Sequence, residues 1–311
     1  MIWQYSSGAF MGWALGANDA ANVFGTSVAT RLVSYRLAVI ILALFILLGA
    51  VLEGPKCMTT VNEITPLDAD SAFLVTLSAG IVMWGFSALA LPASSSQALI
   101  GALLFIGLAG GNAQWGVLLK IAVCWLLTPI SAAILSVLLY LSLGRLMRPV
   151  LTDLVKRTTV LRWAVVIAGC YGSYTLGSNN VANVSGVYVG SGLLTSQQAS
   201  IFGGLAIALG VVTYSRRVMM TVGQGIVPLD AFSAFINVMA LAASAHLFTQ
   251  IGVPVSSTQA VVGSVLGIGL LKNSSKINAR TVVTILLGWV ATPLAGGLIC
   301  LLLFNLRNGL F

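Results

Sequence analysis

Two short strings carry most of the polar chemistry of this chain. "GANDAANV" at residues 16–23 sets Asn18, Asp19 and Asn22 among glycine and alanine, and "GSNNVANV" at 177–184 repeats it with Asn179, Asn180 and Asn183. Both sit in stretches that are otherwise apolar. A carboxylate in hydrocarbon is expensive, so Asp19 must face a cavity, a partner or an ion. Amide and carboxylate oxygens, with carbonyls freed where glycine interrupts a helix, are hard ligands suited to Na⁺. We read Asn18, Asp19, Asn179 and Asn180 as candidate Na⁺ ligands, with Asn22 and Asn183 as candidate substrate contacts. Interhelical polar glue is the plainer alternative, but glue does not need a carboxylate.

A second pair of strings supplies the opposite chemistry. "PASSSQ" at 92–97 and "PVSSTQ" at 254–259 each put three hydroxyls after a proline and before an apolar run. That placement predicts helix N-termini, where unpaired amides and the positive dipole end favour an anion. Hydroxyls add donors without adding charge. Ser94, Ser95 and Ser96, brought together with Ser256, Ser257 and Thr258, would cradle a tetrahedral oxyanion, with Gln97 and Gln259 capping or lining it. One such string alone reads as an ordinary serine cap; its duplication in deep apolar sequence favours the site.

The elements that must position these residues are membrane helices. Of 311 residues, 58% are hydrophobic and 7% charged, with a mean hydropathy of +1.02, too little polar surface for a soluble globule. Apolar segments run over about 8–28, 37–53, 71–91, 95–111, 115–143, 162–189, 198–214, 231–250, 257–271 and 281–304. Only seven acids occur, and all except Asp19 fall in or near segment boundaries. Glu53 and Lys56 flank Gly54-Pro55 and read as a helix end. The lone His246, near the end of a segment, reads as interfacial. The net charge of +8 is spread in small basic groups between segments, which argues for loop charges rather than nucleic-acid binding. Cys57, Cys124, Cys170 and Cys300 lack metal-ligand spacing and read as packing residues. No cleavable signal peptide is evident.

The chain repeats itself. The signature recurs at a shift of 161 residues (16 to 177) and the serine string at 162 (92 to 254). "PLDADSAF" at 66–73 matches "PLDAFSAF" at 228–235, and "WLLTP" at 125–129 matches "WVATP" at 289–293. This divides the chain into an N-terminal repeat (1–143), a basic cytoplasmic linker (144–161) and a C-terminal repeat (162–311). An odd number of crossings per repeat inserts the second copy upside down. Placing Arg145, Arg148, Lys156, Arg157 and Arg162 in the cytoplasm puts Arg31/Arg36, Arg216/Arg217 and Lys272/Lys276/Arg280 there too, as the positive-inside rule requires. Both termini and the acidic 53–70 stretch then lie outside, whether 71–91 and 95–111 form two spans or a re-entrant hairpin. The expected fold is an all-α polytopic membrane protein: two inverted repeats of about five hydrophobic segments, with broken helices or re-entrant hairpins at the midplane. The interruptions are expected at Gly16 and Gly25, at Gly177 and Gly186, and at Pro92 and Pro254. Transporters of this build place substrate and coupling ions where the repeats meet.

At these residues the sequence resembles the inorganic phosphate transporter (PiT) family, whose duplicated signature is written GANDVAN. "GANDAAN" departs by one residue, "GSNNVAN" is the second copy, and "PASSSQ" and "PVSSTQ" match the family's proline-valine-serine-threonine-threonine-histidine element. The resemblance covers the whole chain apart from a large cytoplasmic loop present in many members. It implies cation-coupled uptake of inorganic phosphate, with Na⁺ in most members and H⁺ in some. It puts the anion on the two hydroxyl triplets and the asparagines and Asp19 around a pseudo-two-fold axis. The family's second aspartate is Asn180 here and both histidines are Gln97 and Gln259, which keeps a sulfate permease of the same family in play. The expectation is therefore a Na⁺-coupled symporter of the cell membrane, with phosphate ahead of sulfate, no cofactor, and an oxyanion and the bilayer as partners. A homodimer is compatible with it. A passive anion channel would need a continuous polar pore, and a non-transporting scaffold would leave Asp19 and the paired serines without a role. No HExxH, GxSxG or paired intramembrane aspartates equip the chain for hydrolysis.

Overall fold

The computed structural model describes residues 2–89, 93–222, 229–272 and 279–310, and every regular element in them is helical. After a 3₁₀ turn at Ile2–Gln4 come α1 (Tyr5–Ala29), α2 (Tyr35–Glu53), the short α3 (Pro55–Asn62), α4 (Ala69–Ala88), α5 (Ser95–Ala109) and α6 (Trp115–Leu146). A corner helix α7 (Arg148–Leu151) leads to α8 (Leu154–Asn180), a π-helical turn (Ala182–Gly186) and α9 (Val187–Gly190). The chain closes with α10 (Ser196–Val222), α11 (Ala231–Gln250), α12 (Ser257–Leu271) and α13 (Ala279–Leu310). The described residues of the ten apolar segments are helical, 162–189 being divided among α8, the π-helical turn and α9; the linker region 144–161 is largely helical, and the acidic 53–70 stretch contains α3. Pro92, Pro228 and Lys276 lie outside the described residues.

Among the described residues, six helices are long and apolar enough to cross a membrane. They expose leucines outward, among them Leu44 (62%), Leu126 (71%) and Leu287 (65%). Such a surface suits lipid and would be an aggregation liability in water. This is a multi-pass membrane protein. The helices α5 and α12 have 15 residues each. At 1.5 Å per residue they reach roughly 22 Å, short of a hydrocarbon core of about 30 Å. Their N-termini therefore fall inside the bundle.

The two halves are not separate bodies. The first helix of each packs on the second of the other (α1 on α10, α8 on α2), and the short helices cross over in the same way (α5 on α13, α12 on α6). Glycines set these crossings in pairs. A Cβ on Gly16 would stand 2.0 Å from the Ile207 carbonyl oxygen, and one on Gly177 would stand 2.0 Å from that of Ile46. Likewise Gly101 meets the Pro293 carbonyl and Gly263 the Pro129 carbonyl, each at 2.1 Å.

One expectation needs correcting. Gly16 and Gly25 do not interrupt a helix: α1 runs unbroken through both. Gly16 is there to let the α10 backbone approach, so its missing side chain serves packing rather than a break. The second copy does leave α-helical geometry, past Gly177 and after Asn180, where the π-helical turn ending at Gly186 begins.

Candidate functional site

Both hydroxyl triplets sit at helix starts. Ser94 caps α5, its hydroxyl accepting from the Gln97 amide at 3.3 Å, and Ser256 caps α12 through the Gln259 amide at 3.2 Å. Capping uses an acceptor lone pair of each hydroxyl, leaves its hydrogen free to donate, and fixes the approach of each chain. The third residue of each triplet ties the two starts together. Ser96 donates to the Val255 carbonyl and Thr258 to the Ala93 carbonyl, both at 2.9 Å. The starts of α5 and α12 are thus cross-stitched, with the first-turn amides that no helix bond uses held side by side.

Asp19 stands where these starts meet. It is the only buried acidic or basic side chain among the described residues, at 1% exposure. Its Oδ2 accepts from Ser257 Oγ at 3.1 Å and from Ser95 Oγ at 3.4 Å. The Ser95 hydroxyl has a single hydrogen, which it shares between Asp19 and Asn180 Oδ1, the latter at 3.2 Å. Asn22 donates to Ser257 at 3.1 Å, and Asn183 donates to Ser96 at 2.9 Å and to Asn180 Oδ1 at 3.1 Å. The structure therefore brings Asp19, Asn22, Asn180, Asn183, Ser95, Ser96 and Ser257 into one buried network.

Asn18 and Asn179 turn away from that network. Asn18 donates to Ser87 at 2.8 Å at the end of α4. Asn179 donates to Thr249 at 2.9 Å near the end of α11 and to the Val253 carbonyl at 3.2 Å, and accepts from the Val255 amide at 2.9 Å. These side chains tie the end of α4 and the α11–α12 connection to the signature helices. Sequence reading missed their partners, although Ser87 and Thr249 are hydroxyl residues separated by the repeat offset.

Four oxygens in this region are buried without a hydrogen-bond partner: Asp19 Oδ1, Asn183 Oδ1, Gln97 Oε1 and Gln259 Oε1. Orphaned acceptors are costly in a low dielectric unless something positive or donating meets them. The arrangement thus offers amides and hydroxyls to an anion and bare oxygens to a cation, within one buried region.

Elsewhere, Glu53 and His246 form one cluster rather than two independent features. His246 Nε2 lies 2.8 Å from Glu53 Oε2 and its Nδ1 lies 2.9 Å from the Tyr171 hydroxyl, while Lys56 pairs with Glu53 at 3.0 Å. This half-buried cluster joins α2 and α3 to α8 and α11.

Fold and centre together define a multi-pass helical membrane protein built for transport rather than for covalent catalysis. The phosphate transporter family model matches residues 15–300. A candidate phosphate permease of Methanocaldococcus jannaschii is 31% identical over 280 residues, covering 90% of this chain and 89% of that protein. One from Pyrococcus furiosus is 27% identical over 383 residues, covering 95% and 93%. The chain belongs to the phosphate transporter family, and it is a transport protein and not an enzyme. A solved structure, a sodium-dependent phosphate transporter, shares the fold with a TM-score of 0.80 at 20% identity, covering 98% of each chain.

Proposed function

We propose that this protein is a Na⁺-coupled symporter that takes up inorganic phosphate across the cell membrane. The observation that carries the reading is the meeting of two serine-capped helix N-termini at a single buried carboxylate. The anion lies on the hydroxyls of Ser94, Ser95, Ser256 and Ser257 and the first-turn amides of α5 and α12, with Ser96 and Thr258 tying the two helix starts together. Asn22 and Asn183 orient the hydroxyls, and Gln97 and Gln259 close the lining. Na⁺ takes the oxygens left bare, led by Asp19 Oδ1 with Asn180 beside it; Asn18 and Asn179 contribute by holding the end of α4 and the α11–α12 connection. A cation on Asp19 cancels the repulsion that the carboxylate would exert on a dianion, so each ion favours the other.

The selection of phosphate over sulfate follows from proton chemistry. Near neutral pH phosphate is a mixture of H₂PO₄⁻ and HPO₄²⁻, both of which can donate a hydrogen bond to Asp19, whereas sulfate has no proton to donate. The sodium-dependent phosphate transporter with the same fold supports Na⁺ as the driving ion. The repeats, 1–143 and 162–311, are read as inverted, with the basic 144–161 corner in the cytoplasm and both termini outside. Thr30→Cys then labels from inside and Gln197→Cys from outside.

Labelled phosphate and sulfate uptake into proteoliposomes, with and without an inward Na⁺ gradient, tests the function. Phosphate accumulation that requires the gradient, and yields to unlabelled sulfate only weakly, is expected. Sulfate displacing the transported ion better than phosphate would overturn the substrate, and equal flux without Na⁺ would overturn the coupling.

A further inference from the structure

A cavity of about 620 Å³ lies at the end of the bundle formed by the α1–α2 turn, α8 and α10, and three arginines line it: Arg31, Arg162 and Arg216. None of the three makes an ion pair with an acidic residue among the described residues. All three are exposed. Three guanidiniums around one concavity create an uncompensated positive field, and a phosphate group is the ligand their planar donors fit best.

Two features show that these bases are placed and not merely scattered. The first is the backbone of Arg31, at φ 59°, the only non-glycine residue with positive φ among the described residues. Its repeat counterpart, 161 residues on, is Gly192 at φ 74°, where the conformation is free of cost. At this turn the second repeat uses the residue that the backbone favours, while the first keeps an arginine in a conformation that L side chains rarely adopt. A charge needed only to orient the chain in a membrane could sit at any neighbouring position. The second feature is Arg216, whose guanidinium lies over the Tyr35 ring at 5.9 Å, while the Tyr35 hydroxyl is held 3.3 Å from Ser215 Oγ. Arg216 is thereby oriented over the start of α2, whose cap Ser34 also lines the cavity.

Apolar side chains share the wall with the arginines: Val28, Leu32, Val33 and Met220 line the same cavity, beside Ser34, Tyr35 and Thr158. The helices that form it carry outward apolar side chains leading away from it, with Ile40 on α2, Trp163 on α8 and Val212 on α10 all more than half exposed. A ligand with a phosphate head and an apolar body matches both surfaces at once.

We propose that this pocket binds the headgroup of an anionic phospholipid, its phosphate among Arg31, Arg162 and Arg216 and its acyl chains along α2, α8 and α10. The site is separate from the Asp19 centre, and its occupancy does not depend on what is transported. Native mass spectrometry of the delipidated protein, titrated with phosphatidylglycerol or phosphatidylcholine, tests it. Tighter retention of phosphatidylglycerol is expected, falling about fivefold in Arg31→Gly and again in Arg216→Gln, on the order expected for one basic contact to an anionic lipid each. Arg31→Gly removes the strained backbone, so its melting temperature should hold or rise, which separates lost binding from lost folding. Arg217→Gln, next in sequence but outside the pocket, should leave retention unchanged. Equal retention of the two lipids by the wild type, or a loss in Arg217→Gln as large as in Arg216→Gln, would overturn the proposal. Displacement of phosphatidylglycerol by equimolar inorganic phosphate would assign the pocket to the free anion and overturn the lipid reading.

Discussion

In the first repeat the signature rides on one unbroken helix, α1, while in the second the helix ends at Asn180 and a π-helical turn carries Asn183. The difference shows in what the last asparagine reaches. Asn22 bonds Ser257, the middle hydroxyl of its triplet, whereas Asn183 bonds Ser96, the last hydroxyl of the other triplet. A π turn carries one extra residue per turn and rotates the residues after it, so near-identical strings aim their amides one hydroxyl apart. The charge differs in the same sense: Asp19 draws a hydroxyl from each triplet, while Asn180 takes a share of one hydroxyl plus an amide from its own turn. Two copies of a motif can therefore split the labour, one supplying the charge and the other the shape.

The strongest way to break this comparison is to make the copies equally neutral. Asp19→Asn should abolish gradient-driven uptake while the purified protein stays folded and monodisperse. Full Na⁺-stimulated uptake in that variant would remove the distinction between the repeats.

Next in size are the paired crossings. Gly16→Ala and Gly177→Ala each drive a methyl into a backbone carbonyl 2.0 Å away. Each should cost at least the 1–3 kcal/mol typical of overpacking, roughly, and by similar amounts. Thermal unfolding in detergent reads this. A large loss at one site alone would show that the halves are not equivalent in packing.

The hydroxyls come third. Ser95→Ala and Ser257→Ala each remove a donor from a buried site, about 1–3 kcal/mol, or about a fivefold to hundredfold loss of phosphate affinity. Each has two partners, Asp19 and Asn180 for Ser95, Asp19 and Asn22 for Ser257, so the two losses should be similar. Unchanged affinity in both variants would sink the assignment of the anion to these helix starts.

The smallest effect lies at the rim. Asp68 and Asp230 are equivalent caps, on α4 and α11, but only Asp230 also pairs with a lysine, Lys272 at 2.5 Å. Burial pushes the Asp230 carboxyl up, yet the bonds from Lys272 and the Ser233 amide outweigh it and leave it below the ordinary carboxylate range. A depressed carboxyl stabilises the fold above its unfolded-state pKa and loses that contribution as pH falls through the folded one. The group is partly exposed, so Lys272→Ala should cost no more than about 1 kcal/mol near neutrality and nothing in strong acid.

Much of this was legible in the sequence because the chemistry is written twice. Hydropathy located the ten segments, repetition at a near-fixed offset paired the signatures and the hydroxyl triplets, and proline before serine before an apolar run marked the starts of α5 and α12. Glycine was the residue that misled. Within α1 it reads equally as a helix break or as a close crossing, and only the position of Ile207 on α10 decides between them. The departure into a π turn after Asn180 left no sign either, since "GSNNVANV" and "GANDAANV" are nearly the same string. The joining of His246 to Glu53 and of Asn179 to Thr249 depends on how helices distant in sequence pack, which local pattern does not encode.

The central claim is that Asp19 holds the cation that makes the anion site favourable. Coupling of this kind is reciprocal, so Na⁺ must raise phosphate affinity by the factor with which phosphate raises that of Na⁺. The direct measurement is equilibrium phosphate binding to the purified protein across a Na⁺ titration, for the wild type and for Asp19→Asn. Phosphate affinity should climb with Na⁺ in the wild type and stay flat in the variant. A variant whose phosphate affinity still rises with Na⁺ as steeply as the wild type's would contradict the account.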